Sequence, residues 1–593
     1  MADVLFLLNA ATNAVYFIYL RIVVYQYHVN GHRRNGKGNT VFSNQEFNIM
    51  LKIKFLFIAM LAAVLVGCSG NGQSSAALDE INNSAAINIT YCRAHWWMRP
   101  DTMFIKGAVA TYFKSADSKI RTIDFDLVRH LQVDSVVSHN RQLVFSHSGD
   151  SLTVTLPDVL AQGVTDSVVV YYHGELKSTG LGSIGTNREE HTIWTLSAPY
   201  GARDWWPCRQ NLLDKIDSMD INVTCPIEYK MAANGVIISD VADENEHTTH
   251  FSVRHPLNYY TIGVAVGNYL TKEGQSVLST GDTVPLVHYY WPSNSLSVRG
   301  LMTDLNTMIN IFSDYFAPYP FADEKYGQAS IGGDISMEHQ TMSFLTDADN
   351  LSLMAHELAH QWFGNHVTCK GWSSIWINEG FATFGELLVL ERLMPKIVDS
   401  WHDYTISNAL QAKGTVYVTD TTSHDTIFDE ATTYRRGAMV LVMLRDEIGE
   451  PAFQQGCRMI LERFGNGFAT IEDARQCFEQ AADTSLVDFF NLWIYGSGYP
   501  QFTVDFDNSQ IGKTIIDIQQ STVKTKDSDS DFFPMHLTIR LVGKNARKDV
   551  RLHLTSPQQQ FVVESDFKVN NVIFDPNKNI LGTWQCEKSN KRN

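Results

Sequence analysis

Two histidines four residues apart, His356 and His360, flank Glu357, and eighteen residues later comes Asn378-Glu379-Gly380. On a helix, positions i and i+4 share one face a turn apart, so both imidazoles can reach a single ion. Zinc accepts His nitrogen and carboxylate oxygen, and a His, His, Glu set leaves one coordination position open for water. Glu357, beside the first ligand, can take that water's proton. An HExxH pentapeptide also arises by chance on ordinary surface helices; the Asn-Glu-Gly at this spacing separates the two readings. Leu353, Met354, Leu358, Trp362 and Phe363 supply an apolar back to the predicted helix, and Gly364-Asn365 a stop. A second helical pattern begins at Glu379 and runs to residue 393.

The stretch HELAHQWFGNHVT, then WSSIWINEGFATFGE, resembles the zinc-binding core of the aminopeptidase N family of gluzincin metallopeptidases. Met337-Glu338-His339-Gln340 is similar to that family's GxMEN motif, which implies that Glu338 holds the substrate's free α-amine, with Met337 and Ser336 beside it. Tyr434-Arg435-Arg436-Gly437 resembles the YxKG segment, which implies a Tyr434 hydroxyl that donates to the oxyanion. Gly201 to Cys208 and His255 to Tyr269 resemble segments of the family's N-terminal β domain. The likeness covers most of the chain from residue 87 onward, and its motifs occur in the family's order.

Departures from the family pattern mark where binding could differ. Ile335 stands at a usual Gly position, where glycine lets a backbone approach a ligand closely, and His339 stands where Asn is commoner. Arg436 replaces Lys with charge preserved. Where the family often has a second amine-binding Glu, counting back from Cys208 gives Ala198, with Leu196 in place of a common Gln. Glu386, two turns into the second helix, is a candidate for orienting a zinc ligand. His339, His366 and His424 lack metal spacing to the core site and read as ordinary histidines.

Around this chemistry the chain is long enough for three or four domains. Net charge is −17, and no basic patch offers a phosphate footprint, which argues against nucleic acid. The acidic balance says little about substrate, because a pocket can oppose the global sign. Met50 opens a short positive region, residues 55–66 are an apolar run of signal-peptide length, and Leu65-Val66-Gly67-Cys68 resembles a bacterial lipobox. The run is shorter than the ~20 residues a spanning helix needs. A signal peptide at 50–67 and a lipid on Cys68 are therefore expected, with 1–49 an upstream extension from a misassigned start. The lipid implies a bacterial cell-envelope protein facing the periplasm, and Ser69, which resembles the sorting residue of outer-membrane lipoproteins, makes the outer membrane the expected one. The other seven cysteines have no CxxC spacing and read as buried thiols, with a Cys208–Cys225 bridge left open.

Residues 68–86, rich in Ser, Asn, Gly and Ala, read as a tether. From 87 to about 290 the period is two, as in Ser167-Val168-Val169-Val170-Tyr171-Tyr172. From 291 to 498 helical spacing dominates, and from 499 to 593 alternation returns. The expected architecture is multidomain α+β: an N-terminal β-sandwich-like domain, a thermolysin-like helical catalytic domain and a small C-terminal β-sandwich. Segments around Tyr326 and Phe344 are expected to form a small edge sheet that presents Glu338. Too few residues follow for the large helical domain many relatives carry, so a more open cavity is expected.

The resulting expectation is a zinc aminopeptidase, one ion per chain, that removes N-terminal residues from peptides with a free N-terminus. Two alternatives stand beside it: a peptide-binding lipoprotein with weakened catalysis, suggested by Ala198 and Ile335, and a family-related epoxide hydrolase.

Overall fold

The structure is a computed structural model that describes residues 87–588, apart from 118, 180–181, 295–300, 511 and 526–529. The expected upstream extension, signal peptide, Cys68 and tether lie outside the described residues. Among those described, no helix is long and apolar enough to cross a membrane.

The alternating N-terminal segments pair into an eight-stranded sheet whose centre holds Ile87–Met98 between Met219–Pro226, in parallel, and Phe104–Ser115, antiparallel. Ile87–Met98 shows how the pattern sets the face. Ile87 and Ile89 are buried at odd positions, whereas Cys92, Ala94, Trp96 and Met98 are buried at even ones. A one-residue slip would expose half of them. A bulge between Ile89 and Tyr91 absorbs the extra residue and keeps all six on the core side. A three-stranded sheet (Ile120–Asp126, Val144–Ser148, Ser151–Leu160) and a four-stranded one built around Thr192–Thr195 and Val264–Gly267 complete this region.

The next sheet runs through the junction expected at 290/291. Leu270–Val277 and Thr283–Tyr290 pair antiparallel, and Thr283–Tyr290 then pairs in parallel with Tyr326–Ser330, itself parallel to Met342–Leu345. Main-chain hydrogen bonds thus join strands on either side of that junction. The helix α1 (Leu301–Tyr315) packs against this sheet with Leu305, Met308, Ile309 and Phe312 buried, the stripe its spacing predicts.

Two further helices carry the zinc motif. In α2 (Leu351–Ala359), Asn350 caps the start by accepting the Leu353 N–H. The helix ends earlier than its apolar pattern suggests: His360 is its C-cap, and Trp362 and Phe363, both fully buried, sit in the turns that follow. Helix α3 (Trp376–Leu393) is buried on every side over residues 376–390, as expected for a helix at the centre of a large core. Beyond it come α4 (Val398–Ala409), a π-helical turn at Glu430–Arg436, and α5 (Gly437–Ile448). One hydrophobic core extends without a break from the N-terminal strands through these helices.

The C-terminal residues form a four-stranded and a three-stranded sheet around a core of their own that includes Phe502, Val504, Ile518, Leu537, Ile539 and Phe574. The seven cysteines among the described residues are all free, so Cys208 and Cys225 are not bridged.

Candidate metal centre and its cavity

Helices α2 and α3 bring the three expected ligands to one point. The Nε2 atoms of His356 and His360 lie 3.1 Å apart, and Oε2 of Glu379 is 3.3 Å from the first and 3.2 Å from the second. All three side chains are at least nine-tenths buried. Each imidazole is held from behind. His360 Nδ1 donates to the carbonyl of Phe363 at 3.1 Å, which leaves Nε2 facing Glu379. His356 Nδ1 lies 3.3 Å from Glu386 Oε1 and 3.5 Å from the Thr383 hydroxyl. Glu386 is in turn fixed by the Trp401 indole N–H at 3.0 Å and by the Arg435 guanidinium at 3.4 Å. The second-helix candidate therefore does sit behind the His356 ring. Such partners set ring orientation and ligand basicity. Glu386→Gln should weaken zinc affinity by about 10- to 100-fold, read by competition against a metal buffer.

The electrostatics favour a cation at this point. At His356, burial opposes protonation, but the hydrogen bonds its ring donates to Glu379 and Glu386 prevail and lift its pKa to about 10. At Glu379, burial pushes upward while His360 and His356 hold the carboxylate down at about 2. Among the protein groups alone, protons on the imidazoles offset the acid charge; a bound dication would take their place. The donor set, two nitrogens and one carboxylate oxygen converging from rigid helices, suits zinc.

Glu357 and Glu338 approach the same point from the other side. With His360, their ligand atoms all fall within 4.8 Å of one another. Burial pushes Glu357 up to about 8, against the pull of His356 and His360, and it raises Glu338 as well. One Glu357 oxygen, Oε2, is buried without a hydrogen-bond partner. A buried carboxylate oxygen left open in this way is costly unless something comes to meet it.

Glu338 is presented much as the sequence suggests. Met337 exchanges both main-chain hydrogen bonds with Phe344, at 2.9 and 2.8 Å. The Asn365 amide holds the Glu338 carbonyl at 2.8 Å, and Ser336 Oγ accepts the Thr346 N–H at 3.1 Å. Ser336 thus braces the segment. His339 is not among the side chains whose ligand atoms converge; burial drives its pKa down to about 3, and it packs edge-on to Phe344 with a ring centroid at 4.4 Å. Gly263 makes room for it, since a Cβ there would meet the imidazole at 2.5 Å. His424 pairs with Asp425, and His366 is half-buried near Phe321.

Tyr434 sits in the π-helical turn, a feature that tends to mark functional sites. Its ring stacks on His356 at 5.8 Å and 25°. Burial raises the phenol well above its ordinary value, so the hydroxyl stays protonated and able to donate. A pair of glycines brings this turn close to the metal ligands. The Gly380 and Gly437 backbones pass so near that a Cβ on either would lie 3.3 Å from the other residue, and Trp376 Nε1 donates to the Gly437 carbonyl at 2.9 Å. Arg436, read as a conservative replacement for Lys, points elsewhere. Its buried guanidinium donates to the carbonyls of Gly498 at 2.8 Å and Gly496 at 3.3 Å.

These groups line a cavity of about 390 Å³ whose walls also include Leu196, Ala198, Ile335, Leu353 and Phe428. Neither Ala198 nor Leu196 brings a carboxylate to it. A larger depression of about 600 Å³, between Arg209 and Trp372, contains none of the expected site residues.

Two contributors carried no role in the sequence reading. Arg435 clamps Glu386 and Glu430; the Tyr260 hydroxyl accepts the Asn378 side-chain amide at 2.9 Å. Both fall inside quoted motifs, but only three-dimensional proximity gives them a partner.

Comparison with known proteins agrees with this geometry. The model of the peptidase family M1 domain matches residues 333–493. A glutamyl aminopeptidase of Mus musculus is 28% identical over 350 residues, 54% of this chain and 36% of that protein. An aminopeptidase N of Lactococcus lactis subsp. lactis is 25% identical over 445 residues, 68% of this chain and 50% of that protein. The chain therefore spans half or less of the length of these relatives. An M1 zinc metallopeptidase from Deinococcus radiodurans shares the fold, with a TM-score of 0.60 and 25% identity over 69% of this chain and 94% of that one. A mutant of an M1 zinc metallopeptidase from the same organism, with a TM-score of 0.62 and 24% identity, was solved with a Tyr-Ser-Ala substrate.

Proposed function

We propose, for a chain that carries an M1 peptidase domain of the aminopeptidase N-type gluzincin family, that it is a zinc-dependent aminopeptidase acting on peptides with a free N-terminus. One observation carries the reading: buried Glu338 and Glu357 meet the His356, His360 and Glu379 ligand atoms in a single cavity. His356, His360 and Glu379 would hold zinc. When bound, it supplies the Lewis acidity that makes water nucleophilic at neutral pH.

The chain's own groups do the rest. Glu357 accepts the proton of the attacking water on its open oxygen and passes it to the departing amine nitrogen. Tyr434 donates its O–H to the carbonyl oxygen as that atom gains charge. Glu338 pairs with the substrate's α-ammonium, which fixes the first peptide bond at the reacting centre and turns away blocked or internal peptides. The lipobox-like segment ending at Cys68 supports a lipid-anchored, periplasm-facing enzyme, with the outer membrane favoured by Ser69.

The test is a mass-spectrometric digest of a mixed peptide library by the purified chain from residue 69 onward, on free and N-acetylated peptides. Stepwise loss of N-terminal residues from free peptides only, abolished by a zinc chelator and restored by zinc, is expected. Internal cleavage of acetylated peptides would show that Glu338 does not enforce an exo mode. No cleavage by folded, zinc-loaded protein would overturn the reading.

A further inference from the structure

The cavity is lined by six carboxylates, those of Asp334, Glu338, Glu357, Glu379, Glu386 and Glu430, and by one guanidinium, that of Arg435. That guanidinium is already engaged. Its Nε is 2.7 Å from Glu430, its NH1 is 3.4 Å from Glu386, and it lies 5.1 Å over the Tyr404 ring. Releasing it to meet a substrate carboxylate would leave Glu386, which is buried, without its cationic partner, and breaking a buried pair in this way is strongly unfavourable. Among the described residues, no other Lys or Arg lines the cavity.

The carboxylates are not equivalent. Glu379 belongs to the ligand set, Glu357 to proton transfer and Glu338 to the α-ammonium; Glu386 and Glu430 share Arg435. Asp334 makes no ion pair among the described residues. It is exposed at the cavity wall, four residues before Glu338, beyond Gly333, whose φ of 84° turns the chain there. Counted as fully ionised, the six carboxylates outweigh Arg435, a bound dication and a substrate ammonium together. Its apolar lining, Leu196, Ala198, Met337 and Phe428, offers nothing to an acidic side chain but suits a long methylene stem.

We propose that this cavity selects a cationic first residue, Lys or Arg, over an acidic one, with the Asp334 carboxylate as the specificity-determining group that meets the charged tip. The inference rests on the aminopeptidase reading and goes beyond it. It also parts from the preference that the name of the glutamyl aminopeptidases implies, since an acidic first side chain would enter a field of its own sign.

The experiment compares kcat/KM for Lys-Ala-Ala, Leu-Ala-Ala and Glu-Ala-Ala on the zinc-loaded chain, in wild type and in Asp334→Asn and Asp334→Lys. In parallel, calorimetry measures binding of the same peptides to zinc-loaded Glu357→Gln. Lys-Ala-Ala is expected to exceed Glu-Ala-Ala by about tenfold or more, a ratio of the size one partly screened charge contact gives. The ratio should narrow in Asp334→Asn and fall further in Asp334→Lys. Asp334 is exposed, so both variants should fold. Equal or better handling of Glu-Ala-Ala by the wild type would overturn the proposal, as would a ratio indifferent to Asp334→Lys. If none of the three is hydrolysed, the aminopeptidase reading fails by itself. The binding ratio then decides the selectivity: Lys over Glu sustains it, and no discrimination or no binding overturns it.

Discussion

Glu357→Gln is expected to lower kcat by about 100- to 10,000-fold, the span typical of losing a positioned acid–base group, while zinc content stays at one per chain. The reason lies in which atoms touch what. Glu357 is not among the three atoms that converge at 3.1–3.3 Å, so its amide analogue leaves His356, His360 and Glu379 in place. An amide fills the same space but cannot accept a proton from water. Its burial is also the reason for choosing Gln over Ala: removing the side chain would open a hole beside two ligands. Metal analysis by mass spectrometry, run beside steady-state kinetics, separates the outcomes. Lost activity with lost zinc would assign Glu357 a structural part in metal binding; unchanged activity would remove it from the mechanism.

Tyr434→Phe should follow with a loss of about 100- to 1,000-fold in kcat, the usual cost of removing one oxyanion donor, and with little change in KM. The ring is held by stacking on His356, so Phe keeps the packing and deletes only the hydroxyl. The KM against kcat split is diagnostic. A group that stabilises charge developed only in the transition state acts on kcat. A rise in KM at constant kcat would mean that Tyr434 helps hold the ground-state peptide instead.

How much of this was legible beforehand depended on the range of the interaction. The ligand set was readable because i, i+4 spacing converts directly into a shared face, and the strand regions were readable from period-two alternation. The first sheet strand shows the limit of that rule: the bulge after Ile89 reverses the parity midway, and no local signal in Asn88-Ile89-Thr90-Tyr91 announces it. The break expected at 290/291 followed a change from strand to helix spacing, but parallel pairing of Thr283–Tyr290 with Tyr326–Ser330 is a contact across a helix, which periodicity cannot see. Glu386 is a candidate from sequence because two turns of helix place it near His356. Its partner Arg435 is not, since 49 residues separate them and only folding of the π-helical turn closes the distance.

Arg436 has a consequence for how this chain can be divided. Two residues from Tyr434, its planar fork grips the carbonyls of Gly496 and Gly498, immediately before the strand Tyr499–Asp507 that opens the C-terminal sandwich. A lysine would offer those carbonyls one nitrogen on a flexible stem in place of two held in a planar fork. The sandwich has its own apolar interior and looks detachable, yet its lead-in segment doubles as a buttress for the turn that aims the phenol. Cutting the chain at 496–498 would therefore strip that turn of an anchor, so the joint ties the catalytic half to the module beyond it.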